Sequence, residues 1–294
     1  MKNNLPTILV TGANGQLGCE IKTIAPQFPQ YHFVFVSRNE LAIDDPAALA
    51  KYFAANNFFC CINCAAYTAV DKAETEKVKA FSVNAEAAGN LARLCKQYNS
   101  QLIHISTDYV FNGNSPVPYK ETDAPSPVSV YGTSKLKGEL LVLQNNPSSI
   151  IIRTSWLYSS FGNNFVKTML RLMKEKESIN VVNDQFGCPT YAADLATAIL
   201  QMISSGKAPR MPGIYHYANA GVTNWYSFAM AIKELTNSNC RVNPIPTLQY
   251  PTPAKRPQYS ILDTTKIQQA FDIVIPGWKD SLQSCLNLLK LKAF

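Results

Sequence analysis

Near the N-terminus of this 294-residue chain runs the stretch Thr7-Ile8-Leu9-Val10-Thr11-Gly12-Ala13-Asn14-Gly15-Gln16-Leu17-Gly18. Its first residues are apolar and partly β-branched, which favours a strand, and Ile21, Ile24 and Ala25 then begin a helical pattern. The order strand, glycine-rich turn, helix is typical of sites where amides at a helix N-terminus hold a phosphate. An ordinary loop is the alternative, because the spacing is Gly-x-x-Gly-x-x-Gly and not the common Gly-x-Gly-x-x-Gly.

A second apolar run, residues 31–36, ends at Ser37-Arg38. In folds that bind a dinucleotide at such a turn, an acidic residue near this place accepts the ribose hydroxyls, whereas an arginine suits a 2′-phosphate. Arg38 therefore favours NADPH over NADH. The alternative is an exposed loop arginine, and Glu40 and Asp44 lie close enough in the sequence to compete for its charge.

The first half of the chain alternates short apolar runs with helical segments. Strands are predicted over 7–11, 33–37, 60–64, 101–106 and 150–154, and helices over 46–56, 77–98 and 134–144. Strands that alternate with helices pair in parallel through right-handed crossovers. The sequence therefore predicts an α/β fold, a doubly wound parallel sheet of the Rossmann type.

The pattern changes after Tyr158, where loops lengthen and proline becomes more frequent. The elements expected there are a loop over 159–164, a helix over 165–176, a strand over 179–182, a helix over 192–205, a mostly looped segment over 242–259 and a helix over 278–291. These elements suit a smaller α/β domain.

The change of pattern also predicts the domain organisation. Residues 1–160 are expected to form the dinucleotide-binding domain, and residues 190–220 are expected to return to it. Residues 161–294 would form mainly the smaller C-terminal substrate domain. The substrate is expected in the cleft between the two.

Composition excludes several classes of protein. No stretch approaches the ~20 apolar residues of a membrane span. Lys2, Asn3 and Asn4 lead directly into the first strand, so no signal peptide is expected and a cytoplasmic location is predicted. The net charge of +7 comes from dispersed lysines and arginines. This dispersal argues against nucleic-acid binding and suits an anionic substrate such as a nucleotide sugar.

The eight cysteines indicate no disulfide framework. Cys60, Cys61 and Cys64 lie in an apolar run that favours a buried strand. The Cys61-x-x-Cys64 spacing could suggest redox or zinc chemistry, but no second Cys/His pair lies nearby. Buried thiols that act as small apolar side chains are the favoured interpretation.

Candidate catalytic residues lie in the stretch Tyr131-Gly-Thr-Ser-Lys135. A tyrosine and a lysine at this spacing share one helical face, about one turn apart. A neighbouring ammonium is expected to lower the phenol pKa from its ordinary ~10, so that the tyrosine can exchange a proton near neutrality. Thr107, after the fourth predicted strand, could hydrogen-bond the same substrate oxygen. A solvated helical face and a simple helix cap are the alternatives.

Together these stretches resemble the extended short-chain dehydrogenase/reductase superfamily and, within it, the dTDP-4-dehydrorhamnose reductase family. The resemblance covers about residues 5 to 290. The motifs that carry it are Gly12-Ala-Asn-Gly15-Gln16-Leu17-Gly18, Asn63-Cys-Ala65-Ala66-Tyr67-Thr68-Ala-Val-Asp71-Lys-Ala-Glu74, Ser106-Thr107-Asp108-Tyr109-Val110-Phe111, Tyr131-Gly-Thr-Ser-Lys135, Arg153-Thr-Ser-Trp156 and Arg256-Pro-Gln-Tyr-Ser260.

The resemblance implies roles for individual residues. Catalysis is assigned to Thr107, Tyr131 and Lys135. Cofactor contacts are expected at Gly12, Asn14, Gly15, Gln16, Leu17, Arg38, Ala42, Ile43, Ala65, Ala66, Tyr67, Tyr131 and Lys135. Substrate contacts are expected at Thr107, Asp108, Tyr131 and Trp156.

The chain departs from the family pattern at two places. Relatives often carry an aspartate that contacts the adenine, where this chain has Ala42-Ile43, so contacts to the base are expected to come mainly from the backbone. Some relatives dimerise through metal-linked glutamates. Glu20 fits one such place, but Ala193 occupies another, so no metal is predicted.

The activity that the resemblance implies is reduction of the 4-keto group of dTDP-4-dehydro-6-deoxy-L-mannose to dTDP-L-rhamnose. The expected cofactor is NADPH, with NADH also accepted. The alternatives are reduction of a related UDP-linked keto-sugar, or a non-catalytic dinucleotide-binding regulatory subunit like that of methionine adenosyltransferase. The intact set of Thr107, Tyr131 and Lys135 favours an enzyme. A nucleotide-sugar substrate, no nucleic-acid or membrane partner, and a monomer or homodimer are expected.

Overall fold

Six parallel strands form a central sheet in the computed structural model, which describes residues 5–292. In spatial order they are β10 (Gly213–Tyr217), β5 (Ile150–Thr154), β4 (Gln101–Thr107), β3 (Cys60–Asn63), β1 (Thr7–Thr11) and β2 (His32–Val36). All five pairings are parallel. Chain order runs outward in both directions from β1, so the predicted doubly wound α/β fold is confirmed. The switch point lies between β1 and β3, where such sheets bind ligands.

Helices cover both faces of this sheet and build the C-terminal part. They are α1 (Gln16–Ile24), α2 (Pro46–Ala55), α3 (Val70–Ala73), α4 (Lys77–Phe81), α5 (Ala87–Gln97), α6 (Val130–Asn145), α7 (Phe165–Glu175), α8 (Ala192–Ser204), α9 (Trp225–Thr236), α10 (Thr265–Phe271) and α11 (Trp278–Lys292).

The alternation of side chains along β1 explains the two-sided core. Ile8 and Val10 face a cluster that includes α1, α8 and α10, whereas Leu9 faces a cluster that includes α2, α5 and α6. All three side chains are fully buried. Strands covered on both faces read as continuous apolar runs, and this is the pattern that identified them in the sequence.

Two of the predicted helices differ in detail from those observed. Helix α6 begins at Val130, earlier than the predicted Ser134, because the Ser129 hydroxyl accepts a hydrogen bond from the Gly132 amide and caps it. The segment predicted as one helix over 77–98 is α4 and α5 joined by a π-helical turn, Ser82–Glu86. Tyr131 therefore lies in the first turn of α6, one turn before Lys135.

The segment over 242–259, predicted as mostly loop, contains the end of a strand. β12 (Arg241–Ile245) pairs in parallel with β7 (Ser178–Val182), although Pro244 lies within it. A two-stranded sheet has an edge on each strand, where proline is tolerated. The remaining short strands are β6 (Leu157–Tyr158), β8 (Phe186–Gly187), β9 (Thr190–Tyr191) and β11 (Thr223–Asn224).

The C-terminal part has a core of its own, and part of the chain returns to the sheet. Val166 of α7, Phe228 of α9 and Leu282 of α11 meet in this second core. In contrast, α8 packs in the cluster that contains α1, and β10 extends the sheet beside β5. β10 is not among the strands predicted from the sequence. Within residues 5–292, no helix is long and apolar enough to cross a membrane.

Candidate active site

A cleft of about 730 Å³ opens at the carboxyl ends of the sheet strands. Its walls come from the turn after β1, the loops after β2 and β3, the end of β4, the first turn of α6 and the loop after β5. In open α/β sheets this edge is where ligands bind. Residues far apart in sequence therefore converge on one cavity.

The glycine-rich turn forms one wall of the cleft. Gly12 has φ +67°, and a Cβ there would lie 2.6 Å from the Ala65 amide nitrogen, so only glycine fits between β1 and the loop after β3. Gly15 precedes α1 and provides no side-chain cap, which leaves the first amides of the helix available to a ligand. This open cradle at a positive helix end fits a dinucleotide diphosphate.

The predicted turn residues all line the cleft. Gly12, Asn14, Gly15, Gln16 and Leu17 are all part of its wall. The Gln16 side chain also accepts a hydrogen bond from the Asn164 amide at 2.9 Å. The turn is thereby linked to the start of α7 in the C-terminal part.

Arg38 lies at the rim of the cleft, with its side chain 64% exposed. Its Nη2 donates to Asp44 Oδ2 at 3.0 Å, so the guanidinium is held beside the cavity. Glu40 does not compete for it, because its carboxylate accepts from the Ser37 amide instead. That hydrogen bond lowers the pKa of Glu40.

Of the other predicted cofactor residues, Ile43, Ala65 and Ala66 line the cleft, but Ala42 and Tyr67 do not. The Ala42 carbonyl accepts from the Asp45 amide in the turn that leads to α2. The backbone of Tyr67 makes two hydrogen bonds with the side-chain amide of Asn84. Its N–H donates to Asn84 Oδ1 at 2.8 Å, and its carbonyl accepts from Asn84 Nδ2 at 3.0 Å. Direct cofactor contacts from Ala42 and Tyr67 therefore stay a prediction.

Asn84 was not predicted, and it connects two walls of the site. Besides Tyr67 it contacts Ser134, which lies between Tyr131 and Lys135 in the sequence. The Ser134 hydroxyl is 3.0 Å from Asn84 Nδ2. Asn84 lies in the π-helical turn and is almost fully buried. Such turns in α-helices often mark functional sites.

The three predicted catalytic residues converge on the cleft. Thr107, Tyr131 and Lys135 line it together and are all buried. Gly132 allows this approach, because a Cβ there would lie 2.1 Å from the Tyr109 carbonyl oxygen. Helix α6 thus rests directly on the loop after β4, and its first turn faces the end of that strand.

The pKa of Tyr131 does not follow the sequence-based expectation. Burial raises it, and a hydrogen bond with Thr107 opposes that effect only in part. The expected lowering by Lys135 is not seen because the lysine points elsewhere: Nζ donates to the Ile105 carbonyl at 2.6 Å and lies 3.4 Å from His104 Nε2. Tyr131 therefore keeps its proton at neutral pH, the state from which a general acid acts.

Lys135 has the opposite shift. Burial lowers its pKa to about 8, and the negative charge of Glu139 opposes this. Desolvation disfavours the ammonium, so the amine of Lys135 exchanges its proton close to physiological pH.

Asp108 brings a buried carboxyl to the wall of the cleft beside Thr107. Thr107 Oγ1 donates to Asp108 Oδ1 at 2.9 Å, while Oδ2 is buried without a close hydrogen-bond partner among residues 5–292. Burial raises the pKa of Asp108 to about 6, against hydrogen bonds that lower it. A polar atom of this kind suits a ligand hydroxyl.

Trp156 lines the cleft in a strained backbone conformation. Its φ of +49° is unfavourable for a bulky residue, so surrounding packing must hold it. Trp225, at the start of α9, stacks on it with ring centroids 3.5 Å apart. Gly187 also packs closely on the ring, since a Cβ there would lie 2.6 Å from Trp156 Cε2. Trp225 was not predicted from the sequence, because neither α9 nor a motif around this residue was identified there.

A buried ion pair joins β5 to α6, the helix that carries Tyr131 and Lys135. Arg153 of β5 donates from Nε and Nη2 to the two carboxylate oxygens of Glu139 on α6, at 2.9 and 2.7 Å. Ser106 also donates to Glu139, at 2.5 Å. Arg153 and Glu139 are each about 1% exposed. The pair fixes α6, and with it the side chains of Tyr131 and Lys135, against the sheet.

Glu20, considered as a metal ligand from the resemblance, accepts a hydrogen bond from Ser159 and is buried. Within residues 5–292, no three His, Cys, Asp or Glu side chains cluster as a metal site would require. All eight cysteines are free thiols, and burial raises the pKa of Cys60, Cys61 and Cys64. These thiols behave as apolar side chains.

The chain is similar to proteins of known identity along nearly its whole length. A family model described as the RmlD substrate binding domain matches residues 6–291. The dTDP-4-dehydrorhamnose reductase of Aggregatibacter actinomycetemcomitans is 42% identical over 286 residues, covering 94% of this chain and 97% of that protein. The enzyme of the same name from Escherichia coli K12 is 40% identical and covers 96% and 97%.

Solved structures agree with these matches. The dTDP-4-dehydrorhamnose reductase ortholog of Clostridium acetobutylicum has a TM-score of 0.92 at 39% identity, covering 97% of this chain and 99% of that one. The reductase of Bacillus anthracis, solved in complex with NADP, has a TM-score of 0.91 at 37% identity, with 96% and 99% covered. By sequence and by structure, this chain belongs to the dTDP-4-dehydrorhamnose reductase family.

Proposed function

We propose that this protein is an NADPH-dependent reductase that converts dTDP-4-dehydro-6-deoxy-L-mannose to dTDP-L-rhamnose. The observation that carries the proposal is the convergence of Thr107, Tyr131 and Lys135 on the cleft that also contains the glycine-rich turn. The relatives named above carry the same activity in their names, and one of them is solved with NADP. Their lengths match this chain nearly end to end.

The cofactor would lie along the turn after β1, held by the free amides of α1, and would extend past Ala65 and Ala66 towards Tyr131 and Lys135. When bound, NADPH supplies the hydride for C4 of the sugar. The other tasks in the reaction are carried out by side chains of this protein. They must orient the ketone, stabilise the charge that develops on its oxygen and deliver one proton to it.

We infer that these tasks are divided among residues that line the cleft. With substrate bound, the Tyr131 hydroxyl donates to the ketone oxygen, and the Thr107 hydroxyl turns from Asp108 Oδ1 to donate to the same oxygen. These two hydrogen bonds stabilise the negative charge that develops there. Tyr131 then transfers its proton to that oxygen and completes the alcohol. Lys135 lies one turn along α6 and can move a proton near neutral pH, because burial lowers its pKa to about 8. Asp108 accepts a hydrogen bond from a sugar hydroxyl, and Trp156 packs against the sugar.

A direct assay tests the proposed activity. Purified protein is supplied with enzymatically prepared dTDP-4-keto sugar, and the loss of reduced-cofactor absorbance is followed with NADPH and with NADH in parallel. The same assay with the matching UDP-linked keto-sugar examines the second substrate class. No oxidation of either cofactor with any keto-sugar would overturn the enzymatic function and favour a non-catalytic dinucleotide-binding role.

Arg38 is expected to distinguish the two cofactors. Arg38→Ala should weaken NADPH binding by about ten-fold and leave NADH nearly unchanged, since only NADPH carries the 2′-phosphate. A charge-assisted hydrogen bond contributes roughly 1.5–3 kcal/mol, and the 64% exposure of Arg38 places it at the low end. Dissociation constants are measured for both cofactors, with exposed Arg93→Ala on α5 as control. Equal losses for NADPH and NADH would contradict the phosphate contact.

Asp108 is expected to set an acidic limit on activity. Its pKa is raised to about 6, so the carboxylate is present above that pH and is lost as pH falls through it. kcat/KM for the sugar should therefore decline below about pH 6, while Asp108→Asn should be lower throughout and lack this decline. Activity recovered on return to neutral pH controls for unfolding. A wild-type profile that is flat from neutral pH to pH 5 would contradict the role of Asp108.

Two further features remain proposals. We propose a cytoplasmic location, supported by the eight free thiols, which suit a reducing compartment. We also propose a monomer or homodimer, and a division into a dinucleotide-binding unit over 1–160 with 190–220 and a substrate-binding unit over most of 161–294. The position of α8 and β10 beside the sheet supports that division.

A further inference from the structure

A buried chain of polar side chains runs from β1 to Lys135, and its hydrogen-bond directions can be worked out from one end. Asn63, at the end of β3, accepts at Oδ1 from the Ala65 amide at 3.2 Å and from the Thr11 hydroxyl at 2.7 Å. A backbone amide can only donate, so the oxygen of the Asn63 side chain must be on that side. Its Nδ2 therefore faces the other way, as a donor.

The group that Asn63 Nδ2 meets is His104 Nδ1, at 2.9 Å. Because an amide NH₂ cannot accept, Nδ1 must carry the lone pair, and the neutral ring must hold its proton on Nε2. His104 is 1% exposed, and burial, the largest cause, keeps its pKa well below the ordinary range whether or not Lys135 is charged. The ring is therefore neutral, and its tautomer is fixed by Asn63.

The Nε2–H of His104 points at Lys135 Nζ, 3.4 Å away. An ammonium has three protons and no lone pair, so it would meet this N–H donor to donor. A neutral amine can accept from Nε2–H and still donate to the Ile105 carbonyl at 2.6 Å. The hydrogen-bond pattern is satisfied only by the neutral amine.

We propose that Asn63 and His104 are positioning residues that fix the tautomer facing Lys135 and so favour its neutral amine form. Through this amide–imidazole pair, β3 and β4 would control how readily Lys135 takes up and gives back a proton beside Tyr131. The inference rests on the proposed function for its meaning in catalysis. The tautomer itself does not depend on turnover.

The other charged or titratable groups near Lys135 do not account for this preference. Glu139, on the same helix, opposes it by favouring the ammonium, although its charge is paired with Arg153 of β5. Around the cleft, burial raises the pKa of Asp108, Tyr109, Tyr131 and Cys64. The carboxyl of Asp108 is thus the one group among these four that ionises near neutral pH.

The chain offers an internal control. His216 is also fully buried, but its Nδ1 lies 3.1 Å from the Tyr119 carbonyl, which can only accept, and its Nε2 lies 3.5 Å from Arg153 Nη1, which can only donate. Its proton must therefore be on Nδ1. His32 is exposed, and the chain has three histidines in all. The two buried rings should show opposite tautomers.

The test is ¹⁵N NMR of the full chain labelled at histidine, with signals assigned by His104→Gln and His216→Gln. We expect His104 as the Nε2–H tautomer and His216 as the Nδ1–H tautomer, both unchanged between about pH 6 and 8. A proton on Nδ1 of His104, or a charged ring at neutral pH, would overturn the proposal. This measurement needs neither cofactor nor substrate, so its failure is distinct from failure of the reductase function.

A matched pair of variants tests the coupling to Lys135. Asn63→Asp replaces the donor by an acceptor, so the His104 proton should move to Nδ1, and the pKa of Lys135 should rise by about 1 or more. Thr11→Val removes a donor to Asn63 Oδ1 and leaves the hydrogen bond of Nδ2 in place. The tautomer of His104 and the pKa of Lys135 should therefore stay as in the wild type. The pKa is read from ¹³Cε-labelled lysine, with the signal assigned by Lys135→Met. If the tautomer moves but the pKa of Lys135 does not, the coupling is wrong. If Asn63→Asp does not fold, the tautomers of the two buried histidines and the pKa of Lys135 in the wild type still test the proposal.

Discussion

Replacing Tyr131 with phenylalanine is expected to lower kcat for ketone reduction by ~10²–10⁴-fold, the range that general acid catalysis contributes. The ring would keep its place in the first turn of α6, but the transferable proton would be gone. Because that proton is needed mainly in the transition state, cofactor affinity should hardly change. Turnover is measured with saturating NADPH and keto-sugar, and cofactor binding is measured separately.

Tyr109→Phe provides the matched control for this experiment. Its ring packs edge-to-face on Tyr131 with centroids 5.5 Å apart, and its hydroxyl accepts from Arg256 at 3.1 Å. Loss of that hydroxyl should reduce kcat far less than loss of the Tyr131 hydroxyl. If Tyr131→Phe keeps more than about a tenth of the wild-type kcat, the proton reaches the sugar from another group.

Glu139→Gln is expected to give the largest loss of stability, about 3–5 kcal/mol in the free energy of unfolding. Glutamine keeps the shape of the side chain, but the buried guanidinium of Arg153 then loses its counter-charge. Arg153 is 1% exposed, and its remaining neighbours are His216 Nε2 at 3.5 Å and the Phe111 ring with a centroid distance of 5.0 Å. Neither replaces a carboxylate. Urea unfolding of wild type and variant measures the difference.

An exposed ion pair of the same kind is the control. Arg171 and Glu175 lie on α7 with side chains 60% and 51% exposed, so Glu175→Gln should change stability by less than about 1 kcal/mol. The double variant Glu139→Leu/Arg153→Met should recover most of the loss, because no charge is then left buried. If Glu139→Gln were as mild as Glu175→Gln, the buried pair would not be what holds α6 to β5.

The sheet could be predicted from the sequence because its strands are covered on both faces. Ile8, Leu9 and Val10 are fully buried whichever way they point, so each strand reads as an unbroken apolar run. β10 is harder to recognise. Its sequence, Gly213-Ile-Tyr-His-Tyr217, is only partly apolar, and the half-buried Gly213 and Ile214 begin an edge strand. The strand β12 was not predicted because Pro244 lies within it, and the edge of a two-stranded sheet tolerates a proline.

The site was predictable where a motif places reactive groups at fixed spacing, as for Gly12 and for Tyr131 with Lys135. Contacts between distant elements were not. The link from Asn63 to His104 joins neighbouring strands, and the stack of Trp156 on Trp225 joins the loop after β5 to the start of α9. The only local sign of the first link is a polar residue at the end or in the middle of an apolar strand. The direction of the Lys135 side chain depends on contacts of the same kind, to His104 and to the Ile105 carbonyl of the neighbouring strand.

The π-helical turn Ser82–Glu86 affects how the sequences of homologues align with this chain. Its hydrogen-bonded ring encloses one residue more than an α-helical turn does. Removing one residue there would restore a regular helix but rotate the preceding part by about 100°. The amide of Asn84 would then no longer reach Tyr67 and Ser134. A one-residue gap at this place in an alignment would therefore identify a homologue in which the loop after β3 is no longer tied to α6.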